Sequence, residues 1–164
     1  MKDEEFVRRL ELADDFGDVF EIVRDSVERV LGERRVGLSL GLAEMPNMVG
    51  AMHGVGSNMI LMNRTILEFV NRSARSRLEV NSFVYHILLH EYLHSLGHVD
   101  EGQVRALTRK VTTEVLGEDH LASRISSQDL WHYYPGMREL GPGGMGKDVE
   151  IVDDFDKSST TYIS

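Results

Sequence analysis

Cysteine is absent from the 164-residue chain, which removes disulfides as a source of stability and thiolates as metal ligands. Any bound metal must be held by His, Asp or Glu, a donor set that suits zinc and also iron, nickel or cobalt. Long apolar runs are missing too. No window approaches the roughly 18 consecutive apolar residues of a membrane span, so no membrane partner is expected. The opening residues, MKDEEFVRRL, are acidic from the third position. A secretory leader would need a basic start and an apolar stretch there, so the cytoplasm is the expected compartment. Basic residues are the minority, 18 against 27 acidic ones, for a net charge of -9. Nucleic acid is bound through a basic footprint, so no nucleic-acid partner is expected.

What is present describes one globular domain. An apolar content of 41% and a charged content of 27% are ordinary for such a chain, whose length allows a real core but hardly two. Phe6, Leu10, Ala13, Phe16, Phe20, Val23, Val27 and Val30 recur at intervals of three and four, the stripe of amphipathic helix. Gly17, among Asp14, Asp15 and Asp18, is expected to divide it into an N-terminal helix and a second near 18–31, with Asp18 as N-cap and Gly32 as terminator. Val36, Leu38, Leu40 and Leu42 then alternate as in a strand with one buried face. Residues 48–52 and 58–63 read as two further strands, and 64–77, 78–97 and 101–117 as helices. The second of these helices is apolar on most of its circumference, as expected of a buried one. Residues 1–140 should form a single domain with its core at about 18–117, and 141–164 a flexible acidic tail.

One stretch carries chemistry: HEYLHSLGHVDE, residues 90–101. Residues four apart on a helix differ by about 40° in direction and about 6 Å in rise, so the imidazoles of His90 and His94 can converge on one ion. Glu91 then stands beside that ion without binding it, placed to take a proton from a water that the metal has made acidic. His86 and His98 continue the four-residue spacing. Between His90 and His98, however, a continuous helix rises about 12 Å, so three successive imidazoles cannot share one tetrahedral site. Gly97 can turn the chain back by taking a left-handed conformation. Three residues later stands Asp100, completing H-E-x-x-H-x-x-G-x-x-D, a metzincin-like arrangement with Asp where most members carry His. Asp100 is the expected third ligand. Glu114, twenty residues after His94, is the alternative, a carboxylate offered from a second helix.

With these residues in view, the chain resembles the small zincin-like metallopeptidases, the minimal zincins. Their motif, HExxHxxGxxD followed by an acidic residue and a helix, is met here as HEYLHSLGHVDEGQVRAL. The likeness extends upstream to the helix FEIVRDSVERVL, a strand ending in AEMP, a glycine-containing loop and the strand NMILMN, and covers roughly residues 18–110. It implies an α+β, zincin-like fold: a small mixed β-sheet packed on an active-site helix, with additional flanking helices. It also implies zinc (Zn2+) held by His90, His94 and Asp100, Glu91 as general base, and a peptide or protein substrate. That substrate would lie along strand 58–63 as an edge strand, while the residues themselves read equally well as an ordinary core strand. The N-terminal helix and some fifty residues after the core depart from the family pattern.

Two other functional classes compete. A weaker likeness is to bacterial endoribonucleases with HxxxHxxGxDH. Glu91 stands where that motif has Gly, and Asp100 holds its third-ligand position. A zincin-like protein could instead keep its metal without hydrolysis, or be held latent by its tail lying over the cleft; the presence of Glu91 favours an enzyme. Tyr133, Tyr134 and Met137 are read as packing residues, with an oxyanion-binding tyrosine and a methionine turn as the functional alternative. His86 should pack behind the site and His98 cap the helix or face water, with support of the ligands as the alternative for each, and His53 should sit on an exposed loop, with a place over the cleft as its alternative.

Overall fold

In a computed structural model, which describes residues 3–54 and 56–157, the chain is an α+β domain with a small mixed four-stranded sheet and several helices. Helices α1 (Glu4–Leu12) and α2 (Phe16–Leu31) come first, followed by β1 (Ser39–Ala43), β2 (Ala51–His53) and β3 (Met59–Asn63). Helices α3 (Arg64–Ser73), α4 (Arg77–Ser95), α5 (Glu101–Leu116), α6 (Leu121–Ser126) and α7 (Leu130–Tyr133) follow. A 3-10 turn (Pro135–Leu140) and the strand β4 (Val149–Ile151) complete the described chain. No helix among the described residues is long and apolar enough to cross a membrane.

Helix α4 is the axis of the molecule. Phe83, Val84, Tyr85, Leu88, Leu89, Tyr92 and Leu93 are all buried on it, and it packs against α1, α2, α5, α6, β2 and β3. Its first turn is capped by the Ser76 hydroxyl, which accepts from the Glu79 N–H. Further along, Asn81 donates to the carbonyls of Leu10 and Ala13 at 2.9 and 3.0 Å. Those are C-terminal carbonyls of α1 that would otherwise lack a partner.

The division between α1 and α2 falls earlier than the glycine suggested. Asp15 caps α2, accepting from Asp18 N, and Gly17 lies inside the helix. Its lack of a side chain serves packing: a Cβ there would meet the Asp154 carbonyl at 2.5 Å and Lys157 Cε at 2.7 Å. Gly32 does end α2, in the left-handed region at φ 71°.

The sheet order is β2-β3-β1-β4, with β1 and β3 parallel and the outer pairs antiparallel. Strand 58–63 is therefore interior. This corrects its expected place at an edge: both its sides are occupied, by β1 and by β2. The edge nearest α4 is β2, where Ile87 reaches Gly50.

The other edge comes from the segment read as a loose tail. Val149–Ile151 pairs with β1, and Phe155, 3% exposed, stacks on Phe20 with ring centroids 4.2 Å apart. Asp156 accepts from Arg24 Nη1 at 2.8 Å and from Gly37 N at 2.6 Å. Residues 149–157 are thus fastened to β1 and α2, and 158–164 lie outside the described residues. The alternation of apolar and polar residues is too brief at 149–151 to be read as a strand, and the glycine-rich stretch before it hid the return of the chain.

Candidate metal centre

Helix α4 carries His90, Glu91 and His94 on its last two turns and then stops in a Schellman motif. Leu96 is the C-cap and Gly97 takes φ 103°. The Gly97 N–H bonds the His94 carbonyl at 3.0 Å, and the His98 N–H bonds the Leu93 carbonyl at 3.3 Å. The turn expected at Gly97 is present, and it aims the chain back across the imidazoles into α5.

The carboxylate that arrives there is Glu101. Its Oε1 lies 2.9 Å from His90 Nε2 and 2.9 Å from His94 Nε2. Among the described residues these three form a group whose ligand atoms all lie within 4.8 Å of one another. Tetrahedral zinc with bonds of about 2.0–2.1 Å would hold its donors about 3.3 Å apart. Two imidazole nitrogens and one carboxylate oxygen are a zinc-type donor set, gathered closely enough for small shifts of the side chains to accept such an ion.

Asp100, the expected third ligand, is not brought to this point. It is the N-cap of α5, its Oδ2 accepting from the Gln103 N–H at 2.8 Å. The signal was legible: D-x-x-Q ahead of an apolar helical stripe is a capping-box pattern. A cap residue has its side chain committed to the helix end, which leaves the next residue, Glu101, free to reach out. Glu114, the alternative, sits about 20 Å further along α5, exposed beside a cavity lined by Val7, Leu116 and His120.

The protonation pattern is decisive for the chemistry. His94 Nδ1 lies 2.8 Å from the His98 carbonyl oxygen, a bond that only an N–H can make. In a neutral imidazole the proton then sits on Nδ1, and Nε2 turns a lone pair toward Glu101 Oε1. Two acceptors 2.9 Å apart repel each other unless a cation or a proton lies between them. Burial holds the His90 pKa below its ordinary value, although the Glu101 carboxylate pulls the other way. For Glu101, burial raises the pKa, but the neighbouring His94 and His90 outweigh it and the carboxyl ends below its ordinary value. The second oxygen of Glu101 faces Arg105 Nε at 3.4 Å.

Glu91 is 7% exposed, and burial pushes its carboxyl up to about 7, with the Glu101 charge adding to the rise and His94 opposing it. A carboxyl poised near neutrality beside a metal-type donor set is suited to proton transfer.

The remaining residues singled out by the sequence lie outside this group. Burial, then the neighbouring His90, pushes the His86 pKa down to about 4, and its buried Nδ1 has no hydrogen-bond partner. His53 ends β2 and donates through Nε2 to the Ser57 carbonyl. Tyr134 donates to Glu79 at 2.9 Å and meets Phe69 and Phe83 edge-on. Glu79 lies about 16 Å along α4 from His90, so this hydroxyl is engaged away from the imidazoles. Met137 is buried in the core. Compared with protein-family models, with curated proteins and with solved structures, the chain shows no significant match to any of them.

Proposed function

We propose that this chain is a zincin-like, zinc-dependent peptide hydrolase in which His90, His94 and Glu101 hold the metal and Glu91 is the general base. The observation that carries the reading is the shared approach of Glu101 Oε1 to both Nε2 atoms while His94 Nδ1 is committed to a carbonyl. On that tautomer His94 Nε2 and Glu101 Oε1 are two acceptors facing each other, and a divalent cation between them would neutralise the pair.

Zinc, when bound, supplies Lewis acidity that polarises a scissile carbonyl and makes water acidic near neutral pH. The protein's own groups do the rest. Glu91, at the rim of the cluster and with its pKa pushed up to about 7, takes the proton of the attacking water and returns it to the leaving amine. Peptide substrates would align beside β2, the edge strand next to α4, whose outer side pairs with no strand among the described residues and could bond an extended chain.

The test is metal content and peptide cleavage of the purified chain. Wild type should carry about one zinc and cleave a mixed peptide library. Glu91→Gln should keep the zinc and lose cleavage by about 10²–10⁴-fold. Glu101→Ala should lose the zinc, whereas Asp100→Ala should keep it. A zinc-free wild type, or zinc lost from Asp100→Ala and kept by Glu101→Ala, overturns this assignment.

A further inference from the structure

We propose that the connector between α2 and β1 is a positioning clasp for His94, acting through Glu33 and His98. This rests on the reading that His90, His94 and Glu101 hold a metal. His98 performs three separate tasks. Its N–H closes the Schellman turn on Leu93, its carbonyl accepts the Nδ1 proton of His94, and its ring is held by Glu33. The ring contact is two-pronged, with His98 Nε2 lying 2.7 and 2.8 Å from the two Glu33 oxygens.

Helix capping requires only the two N–H groups. The ring contact is additional, and its effect is to pin the residue whose carbonyl sets the tautomer and the rotation of His94. A ligating histidine is oriented in this way when its other nitrogen is bonded to a fixed acceptor. Glu33 fixes that acceptor from a different part of the chain, 65 residues away.

The connector holds the same turn at two more points. Arg35 Nη1 donates to the Ser95 carbonyl at 2.6 Å, a helix-end carbonyl without an intrahelical partner. The backbone N–H of Arg35 donates to the Tyr92 hydroxyl at 2.8 Å. Arg35 is itself steadied by Asn58 Oδ1 at 2.7 Å, just before β3. Tyr92, Ser95 and His98 bracket His94 on either side, so the last turn of α4 is gripped from outside at each flank of the ligand. Removing Glu33 frees the His98 carbonyl to drift while the helix and its buried core remain.

Zinc affinity by chelator competition and the visible spectrum of the cobalt-substituted full-length protein test this directly. Glu33→Ala should weaken zinc by about 10–100-fold and shift the cobalt bands, with the metal-free melting temperature little changed. Glu33→Gln keeps an oxygen that accepts from His98 and should restore most of the affinity and the spectrum. His98→Ala should match Glu33→Ala, and the double variant should be no weaker than either, because the two residues act as one unit. Wild-type affinity and spectrum in both Glu33→Ala and His98→Ala would overturn the clasp and leave the metal centre standing. Equal loss in Glu33→Ala and Glu33→Gln would also overturn it, since charge rather than positioning would then be at work. A wild type that takes up no metal would overturn the metal centre and the clasp together.

Discussion

Two carboxylate-centred clusters, one bonded to the α2–β1 connector at Gly37 and the other linked to it through His98 and Glu33, are built on opposite principles. Around Asp156 the side chains are almost fully buried, Arg24 at 2% and Asp156 at 6%, and the carboxylate accepts from a guanidinium and from a backbone N–H. Around Glu101 the carboxylate is about half exposed and one oxygen faces two imidazole nitrogens. The first cluster fastens the C-terminal segment to α2 and to the connector. On the proposed reading, a cation would fill the second. Satisfied polar groups in an interior mark architecture; convergent acceptors in an accessible place mark a binding site.

If that contrast is right, breaking the two clusters should give opposite results. Asp156→Ala leaves the Arg24 charge buried without this carboxylate and should cost about 3–5 kcal/mol in urea unfolding. Glu101→Ala, measured in chelator, should stay within about 1 kcal/mol of wild type. Comparable losses in both would erase the distinction between them.

Glu91 sharpens the contrast further, because a site keeps groups that the fold alone would reject. Its carboxyl is pushed up from 4.5 to about 7, so between those values the folded chain holds a proton that the unfolded chain has released. Metal-free stability should therefore fall as pH rises through that window and stay low above it. At about 1.4 kcal/mol for each tenfold in proton affinity, the loss is at most about 3 kcal/mol. Glu91→Gln should remove the decline in a pH series of melts, and a variant that declines like wild type would refute this account. Gly97→Ala places a side chain at φ 103° and should cost about 1–3 kcal/mol. Because Gly97 shapes the turn that delivers His98 and Glu101, it should also weaken zinc binding. Asp100→Ala should cost only about 1 kcal/mol, the usual loss of an N-cap, with its zinc affinity close to that of wild type. Calorimetry on the two variants side by side separates turn from cap.

Much of this centre was legible one residue at a time. His90, Glu91 and His94 follow from helix periodicity alone, and Gly97 follows from the need to turn. Asp100, the acid in register with the motif, is also in register with a helix cap, and here its Oδ2 accepts from the Gln103 N–H while Glu101 reaches the imidazoles. The edge strand was misplaced for a different reason. The residues of 58–63 look alike whether one neighbour or two lie beside them, and only the pairing with β2 and β1 decides. The C-terminal segment was hidden because its anchors, Phe155 and Asp156, gain meaning only from Phe20 and Arg24, more than a hundred residues earlier.

By itself, then, the sequence determined the α+β class, the buried helix with its two imidazoles and one glutamate, and the glycine that ends it. These depend on contacts within a few residues, which backbone geometry makes periodic. The tertiary structure decided which carboxylate closes on the histidines, which carbonyl and which distant glutamate hold His94 in place, and which strand is left with an open edge. Those depend on pairings across the chain, where many partners are chemically equivalent and only packing selects one.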